Sequence, residues 1–336
     1  MPVQTNAGLA ELQQKAAGLL ESFYIPSQRY GTAFHLTPPF QDVREIGLAP
    51  PVRQMAEGRR GGVVYAKMQP PLSPLSGGDQ KKILNTLDGR DPYLLWLVAH
   101  LDTIPVRIVR VEQGQTMQLN VNGSELMWVF LQKDARLTIE HAIIQPPLSP
   151  LSGGKTLALP RIFVWQEAGS EFTYWGLRAN NTFLSERLQV RLLGEGAAVH
   201  VRHLTYGGKP VQKPMVHPGG VPGTLHLPGS TIGHLARSNA GMPGSTIRQQ
   251  SDIEVSAFHE ARQTVSDLAV RSAAADRHVA IYRGLIDIAE NAGGSKGYQS
   301  GRALLLSRTA VVDNLPELAI NTNDVQCSHG VTTTHI

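Results

Sequence analysis

The sequence predicts a mainly β protein with a helical segment at its N-terminus. Two observations carry the β reading. From about Val106 onward apolar residues alternate in short runs, and turn-forming pairs separate those runs every roughly ten to fifteen residues. A third observation sets the start of the chain apart: Leu9, Leu12, Ala16, Leu19, Leu20 and Phe23 recur at helical spacing, with Gln13, Gln14, Lys15 and Glu21 on the other face and Asn6 placed as a cap. That polar face is not strongly basic, so the helix is expected to pack on the body of the protein rather than lie on a membrane.

The strands follow in order. Leu119 and Val121, then Leu137 and Ile139, Phe172 and Tyr174, Leu188, Val190 and Leu192, and finally Val199 and Val201 each put apolar side chains on one side of an extended segment. Turn signals stand between them at Gln113-Gly114, Asn122-Gly123, Lys133-Asp134, Ala168-Gly169, Asn180-Asn181, Gly194-Glu195-Gly196 and Gly207-Gly208. Many short strands without long helices between them suit both a sandwich and a parallel solenoid, and periodicity alone does not separate the two. The expected organisation is an N-terminal helical region over 1–60, a variable linker and helix over 61–105, and a β core over 106–336 with an inserted loop at 209–250.

Composition narrows the function classes. Lys and Arg exceed Asp and Glu by only 31 to 27 in 336 residues, with no basic and aromatic alternation of the kind a nucleic-acid groove needs, so nucleic acid is not an expected partner. One cysteine cannot form an internal disulfide, no signal-like segment opens the chain, and no apolar run approaches the roughly 20 residues that cross a bilayer. A cytoplasmic protein outside the membrane is the expectation.

Two exact repetitions read as exposed loops: "QPPLSPLSGG" at Gln69–Gly78 and Gln145–Gly154, and "PGSTI" at Pro228–Ile232 and Pro243–Ile247. "LSGGDQ" at Leu75–Gln80 and "GGKT" at Gly153–Thr156 have the look of ATPase loops. The second has Ser149 where a phosphate-binding loop needs its first glycine, and prolines precede it where a buried strand should run. Neither a nucleophile elbow nor an HExxH pair occurs. His200 and His203 in "HVRH" fall on opposite faces of a strand and are expected as partly exposed polar residues. Glu140, Glu167 and Glu171 sit near strand ends, as solvated carboxylates rather than a catalytic pair.

Longer stretches carry a resemblance. "RIFVWQEAGSEFTYWGLRANNTFLSERLQVRLLGEGAAVHVRHLTYGG" at Arg161–Gly208, "YRGLIDIA" leading to "YQSGRALLLS", then "PELAI" and "NDVQCSHG" resemble the SufB/SufD family of iron-sulfur cluster assembly proteins, on the SufD side of it. The resemblance spans roughly 106–208 and 251–334. It implies a right-handed parallel β-helix and a non-enzymatic scaffold that acts with a SufB-like subunit and a SufC-like ATPase, or as a homodimer. Members of that family continue into a C-terminal helical region associated with SufC binding, whereas this sequence ends at Ile336; truncation there would remove direct SufC docking. A carbohydrate-active or ligand-binding β-solenoid is the alternative from another class.

Cys327 and His329, in "NDVQCSHG", are the candidate site. On an extended segment Val325, Cys327 and His329 share one face, so a thiolate and an imidazole can reach one metal ion or one sulfur atom. Read from the residues alone, Cys327 is a small buried residue continuing the Val325 face, with His329 capping a turn before Gly330. The resemblance implies instead that the pair stands at the contact with a SufB-like subunit, where it would help hold a transient iron-sulfur cluster, with no stable cofactor in the isolated chain. Two ligands do not complete such a site, so a partner would supply the others.

Overall fold

The computed structural model describes residues 7–21, 46–48, 76–87, 91–99, 106–123, 125–144, 155–180, 183–208 and 250–336. Three helices come first: α1 (Ala7–Glu21), α2 (Gly77–Leu84) and α3 (Pro92–Ala99). A short strand β1 (Ile46–Leu48) lies between α1 and α2 in the chain. The remaining strands are β2 (Val106–Val111), β3 (Thr116–Asn122), β4 (Leu126–Leu131), β5 (Arg136–Ile144), β6 (Lys155–Ala158), β7 (Arg161–Gln166), β8 (Glu171–Asn180), β9 (Phe183–Leu192) and β10 (Ala198–Gly207). They continue as β11 (Gln250–His259), β12 (Val265–Ala274), β13 (Val279–Ile288), β14 (Ser295–Leu305), β15 (Val311–Ile320) and β16 (Val325–His335).

These strands form two parallel sheets laid down alternately. The first runs β15-β13-β11-β9-β7-β4-β2, with β6 and β1 joined at its side, and the second runs β16-β14-β12-β10-β8-β5-β3. Each crossing of the chain therefore adds one strand to each sheet, a rung, and every described ladder is parallel. The main core lies between the sheets, where Leu119, Val121, Leu137, Ile139, Phe172, Tyr174, Leu188, Val190, Leu192, Val199 and Val201 are all buried. The alternation read from the sequence thus places each of those pairs on the inward face.

A second core explains why β4 and β7 do not alternate. Every residue of both strands is buried. Met127, Val129 and Leu131 face the inner core, while Trp128, Phe130, Phe163 and Trp165 meet Leu12 and Ala16 of α1, Ile83 of α2, and Leu94, Leu95 and Val98 of α3. Strands covered on both faces read as continuous apolar runs. Leu12 and Ala16 confirm the packing expected of the amphipathic helix; Asn6 and Phe23 lie outside the described residues.

One edge of the stack is stitched. At each of the first six passages from the first sheet to the second a residue with left-handed backbone donates its N–H to the turn of the next rung: Gly114 to Lys133 O, Asp134 to Ala168 O, Gly169 to Glu195 O, Gly196 to Arg262 O, Gln263 to Gly293 O and Gly294 to Asp324 O, over 2.7 to 3.2 Å. Their φ angles run from 57° to 76°. The Gly-containing turn signals at 114, 169 and 196 fall on this edge. Gln263 was not legible, because a left-handed glutamine has no sequence signature.

The return passages, from the second sheet to the first, differ in length, and those at 145–154 and 209–249 lie outside the described residues. Both PGSTI copies and the second QPPLSPLSGG copy lie outside the described residues. The first copy corrects the reading of that segment as a loop throughout. Ser76 caps α2 by accepting the Asp79 N–H at 3.1 Å, and Gly77 and Gly78 form its first turn. Asp79 is buried and paired with Lys82 and Arg110, so "LSGGDQ" fastens a helix to β2. Among the described residues no helix is long and apolar enough to cross a membrane.

Candidate functional site at the last rung

The two sheets end on β15 and β16, each paired on one side only among the described residues. Strand β16 lies against β14 in parallel register, Cys327 opposite Gly297, His329 opposite Gln299 and Val331 opposite Gly301. Val325 and Cys327 pack against the inner core, which fixes the inward face of the strand as 325, 327, 329 and 331. The expected sharing of one face by Cys327 and His329 is what the register gives.

Their environments differ. Cys327 is half-buried, and burial pushes its thiol above the ordinary value although a backbone hydrogen bond from Gly297 works the other way. Gly297 makes room for it: a Cβ there would stand 3.4 Å from Cys327 Sγ and 2.9 Å from an Ile286 methyl. His329 is exposed, and the strand runs straight through Gly330 to His335. The turn expected before Gly330 is therefore absent, because the β14 ladder continues to Leu305↔His335 and holds the segment extended. Val331 at 47%, Val311 at 43% and Ile320 at 42% exposure add apolar surface to the same end.

A soft thiol and an imidazole on one open edge suit iron or sulfide as cargo, but they are two donors. Among the described residues no group of three or more His, Cys, Asp or Glu is placed to hold a metal ion. The pair can contribute to a site and does not complete one.

Sequence reasoning missed a second cluster. His203, expected to be partly exposed, is buried on the inward face of β10. Its Nε2 donates to Glu186 at 3.0 Å, and Glu186 also accepts from Arg178 Nε at 2.7 Å, Arg178 Nη2 at 2.6 Å and Tyr174 Oη at 2.8 Å. His141 joins through Tyr174 at 3.0 Å and donates to Gly123 O at 2.7 Å. Burial by itself would raise the Glu186 carboxyl, but Arg178 and His203 hold it well below the carboxylate range. Burial lowers His203 despite Glu186, and lowers His141 to about 3. Every carboxylate oxygen and guanidinium group here has partners, which marks a structural knot in the core. The signal that could have found it is the alternation itself: Glu186, Tyr174, Arg178 and His203 all occupy inward positions. Glu140 and Glu167 are exposed and Glu171 half-buried, as expected of strand ends.

Comparison with known proteins places the last rungs. Residues 240–336 match the SUF system FeS cluster assembly, SufBD core domain. That match covers the C-terminal part of the chain, and there the chain is similar to SufB/SufD-family proteins. A 57-residue segment is 40% identical to the iron-sulfur cluster assembly protein SufD of Escherichia coli (strain K12), covering 17% of this chain and 14% of that protein. The SufBD match contains β11 to β16, and so both Cys327 and His329. The resemblance read at Arg161–Gly208 lies ahead of the matched residues, on strands that continue the same two sheets.

Proposed function

We propose that this chain is a SufD-like, non-enzymatic scaffold subunit for iron-sulfur cluster assembly, and that β15 and β16 are where it meets a SufB-like partner. The observation that carries the reading is a thiol and an imidazole on the inward face of one strand, β16, inside the residues that match the SufBD core domain. Pairing there would bring the partner's residues to Cys327 and His329 and supply the donors this chain lacks. The cluster is then a transient cargo shared between subunits, and His329, being exposed, is the readier ligand.

Alternating parallel sheets with short connections on one edge fit a right-handed parallel β-helix, in which each rung is one turn of the coil. A SufC-like ATPase would drive rearrangement of the pair, in the cytoplasm. Cluster formation on the complex co-purified with a SufB-like subunit tests the reading. Replacing His329 by Ala should reduce cluster content severalfold, and Cys327→Ala should reduce it less; wild-type content in the His329→Ala complex would sink the proposal.

A further inference from the structure

The inward row that carries His329 ends on an amide with nothing to bind. Gln299, its ladder partner on β14, is only 3% exposed, yet neither Oε1 nor Nε2 has a hydrogen-bond partner. Tyr282 on β13 is 1% exposed and its hydroxyl is also unpartnered. The two groups converge on one point: a Cβ added to Gly284 would overlap both the Gln299 amide and the Tyr282 hydroxyl. Asn314 of β15, opposite Tyr282 in register, adds a third unpartnered buried amide nitrogen. Leaving such a group unsatisfied costs roughly 1 to 3 kcal/mol, so an apolar residue would be the cheaper choice at Gln299 if packing alone mattered.

We propose that Gln299 is a positioning residue for His329. Neighbouring inward side chains of adjacent strands stand about 4.8 Å apart, so an imidazole turned inward meets the Gln299 amide directly or through one water. Oε1 accepts the N–H of the inward ring nitrogen. That fixes the tautomer and leaves the other nitrogen, as a lone-pair donor, at the open edge beside Cys327 Sγ. Imidazoles that bind metals almost always give their second N–H to such an acceptor. The Tyr282 hydroxyl lies close to the same point, and Gly284 keeps the space free. This inference rests on the Cys327 and His329 reading and assigns that site a supporting residue.

The test uses the full chain co-purified with a SufB-like subunit, which supplies the donors this chain lacks, with Co2+ as the probe and its visible absorption as the readout. His329→Ala is expected to lose the imidazole-bound spectrum. Gln299→Leu should weaken Co2+ binding by roughly 10- to 100-fold. Gln299→Glu, which keeps the acceptor, should recover most of it. Thermal unfolding of Gln299→Leu should be no lower than wild type, which separates positioning from folding. Wild-type affinity and spectrum in Gln299→Leu would overturn the role of Gln299 while leaving the Cys327 and His329 site standing. If His329→Ala binds Co2+ as wild type does, the site itself fails, and its positioning residue with it.

Discussion

Strands β7 and β15 belong to one sheet, four places apart, and could hardly be treated more differently. Every residue of Arg161–Gln166 is buried, between the inner core on one side and the helices on the other. No residue of Val311–Ile320 is. The early rungs are covered on both faces and the last described rung is not. Val311, Ile320 and Val331 are exposed on that rung, beside Cys327 and His329.

The contrast can be broken from the inside. Burial lowers His141 to about 3, His259 to about 4 and His278 to about 4, all below their ordinary value of 6.5. The unfolded chain therefore binds protons that the folded chain refuses, and stability falls as pH drops below 6.5. Each histidine costs on the order of 2 kcal/mol by pH 5. Asp252, raised by burial to about 6, opposes this partly, because it takes its proton more readily when folded. Urea midpoints between pH 7 and 5 should show a net loss of several kcal/mol. A flat profile would mean that these imidazoles open to water in solution.

A smaller effect sharpens the role of the buried knot. Arg178→Ala strands Glu186 in the core and should cost about 3 to 5 kcal/mol, read from urea denaturation. Replacing the pair together, Arg178→Met with Glu186→Leu, should restore much of that loss. If the double variant is as unstable as the single one, the knot is sustained by Tyr174 and His203 rather than by the ion pair. The smallest effect on folding belongs to the open end. Val331→Asp should change stability by no more than about 0.5 kcal/mol, yet diminish association of the chain with itself or a SufB-like subunit in sedimentation or pull-down. Unchanged association would place the interface elsewhere.

Much of this was legible beforehand, for definite reasons. Pairs such as Leu119 and Val121 or Val199 and Val201 declare the inward face because strand side chains alternate, and glycine marks the stitched turns because few other residues adopt left-handed backbone freely. The geometry of Cys327 and His329 followed from the same alternation. What stayed hidden were contacts between distant rungs. Arg178 meets His141 across 37 positions, and Gln299 lies beneath His329 only once the register is fixed. Nor does a single sequence say that Ser76 will cap a helix when the identical Ser152 precedes a strand; the residues that follow, Asp79 to Ile83 against Lys155 to Leu157, decide it.

The stitched edge has a practical corollary for anyone wishing to label this protein. Its turns are bonded rung to rung, so a residue added between Gly114 and Gly294 on that side would break a chain of six N–H links. The connection from β10 to β11 is longer, 208–249 in the chain, and lengthening a connection is cheap, with each doubling costing about 0.6 kcal/mol. An epitope or fluorophore grafted within 209–249, between β10 and β11, would leave those six links sewn.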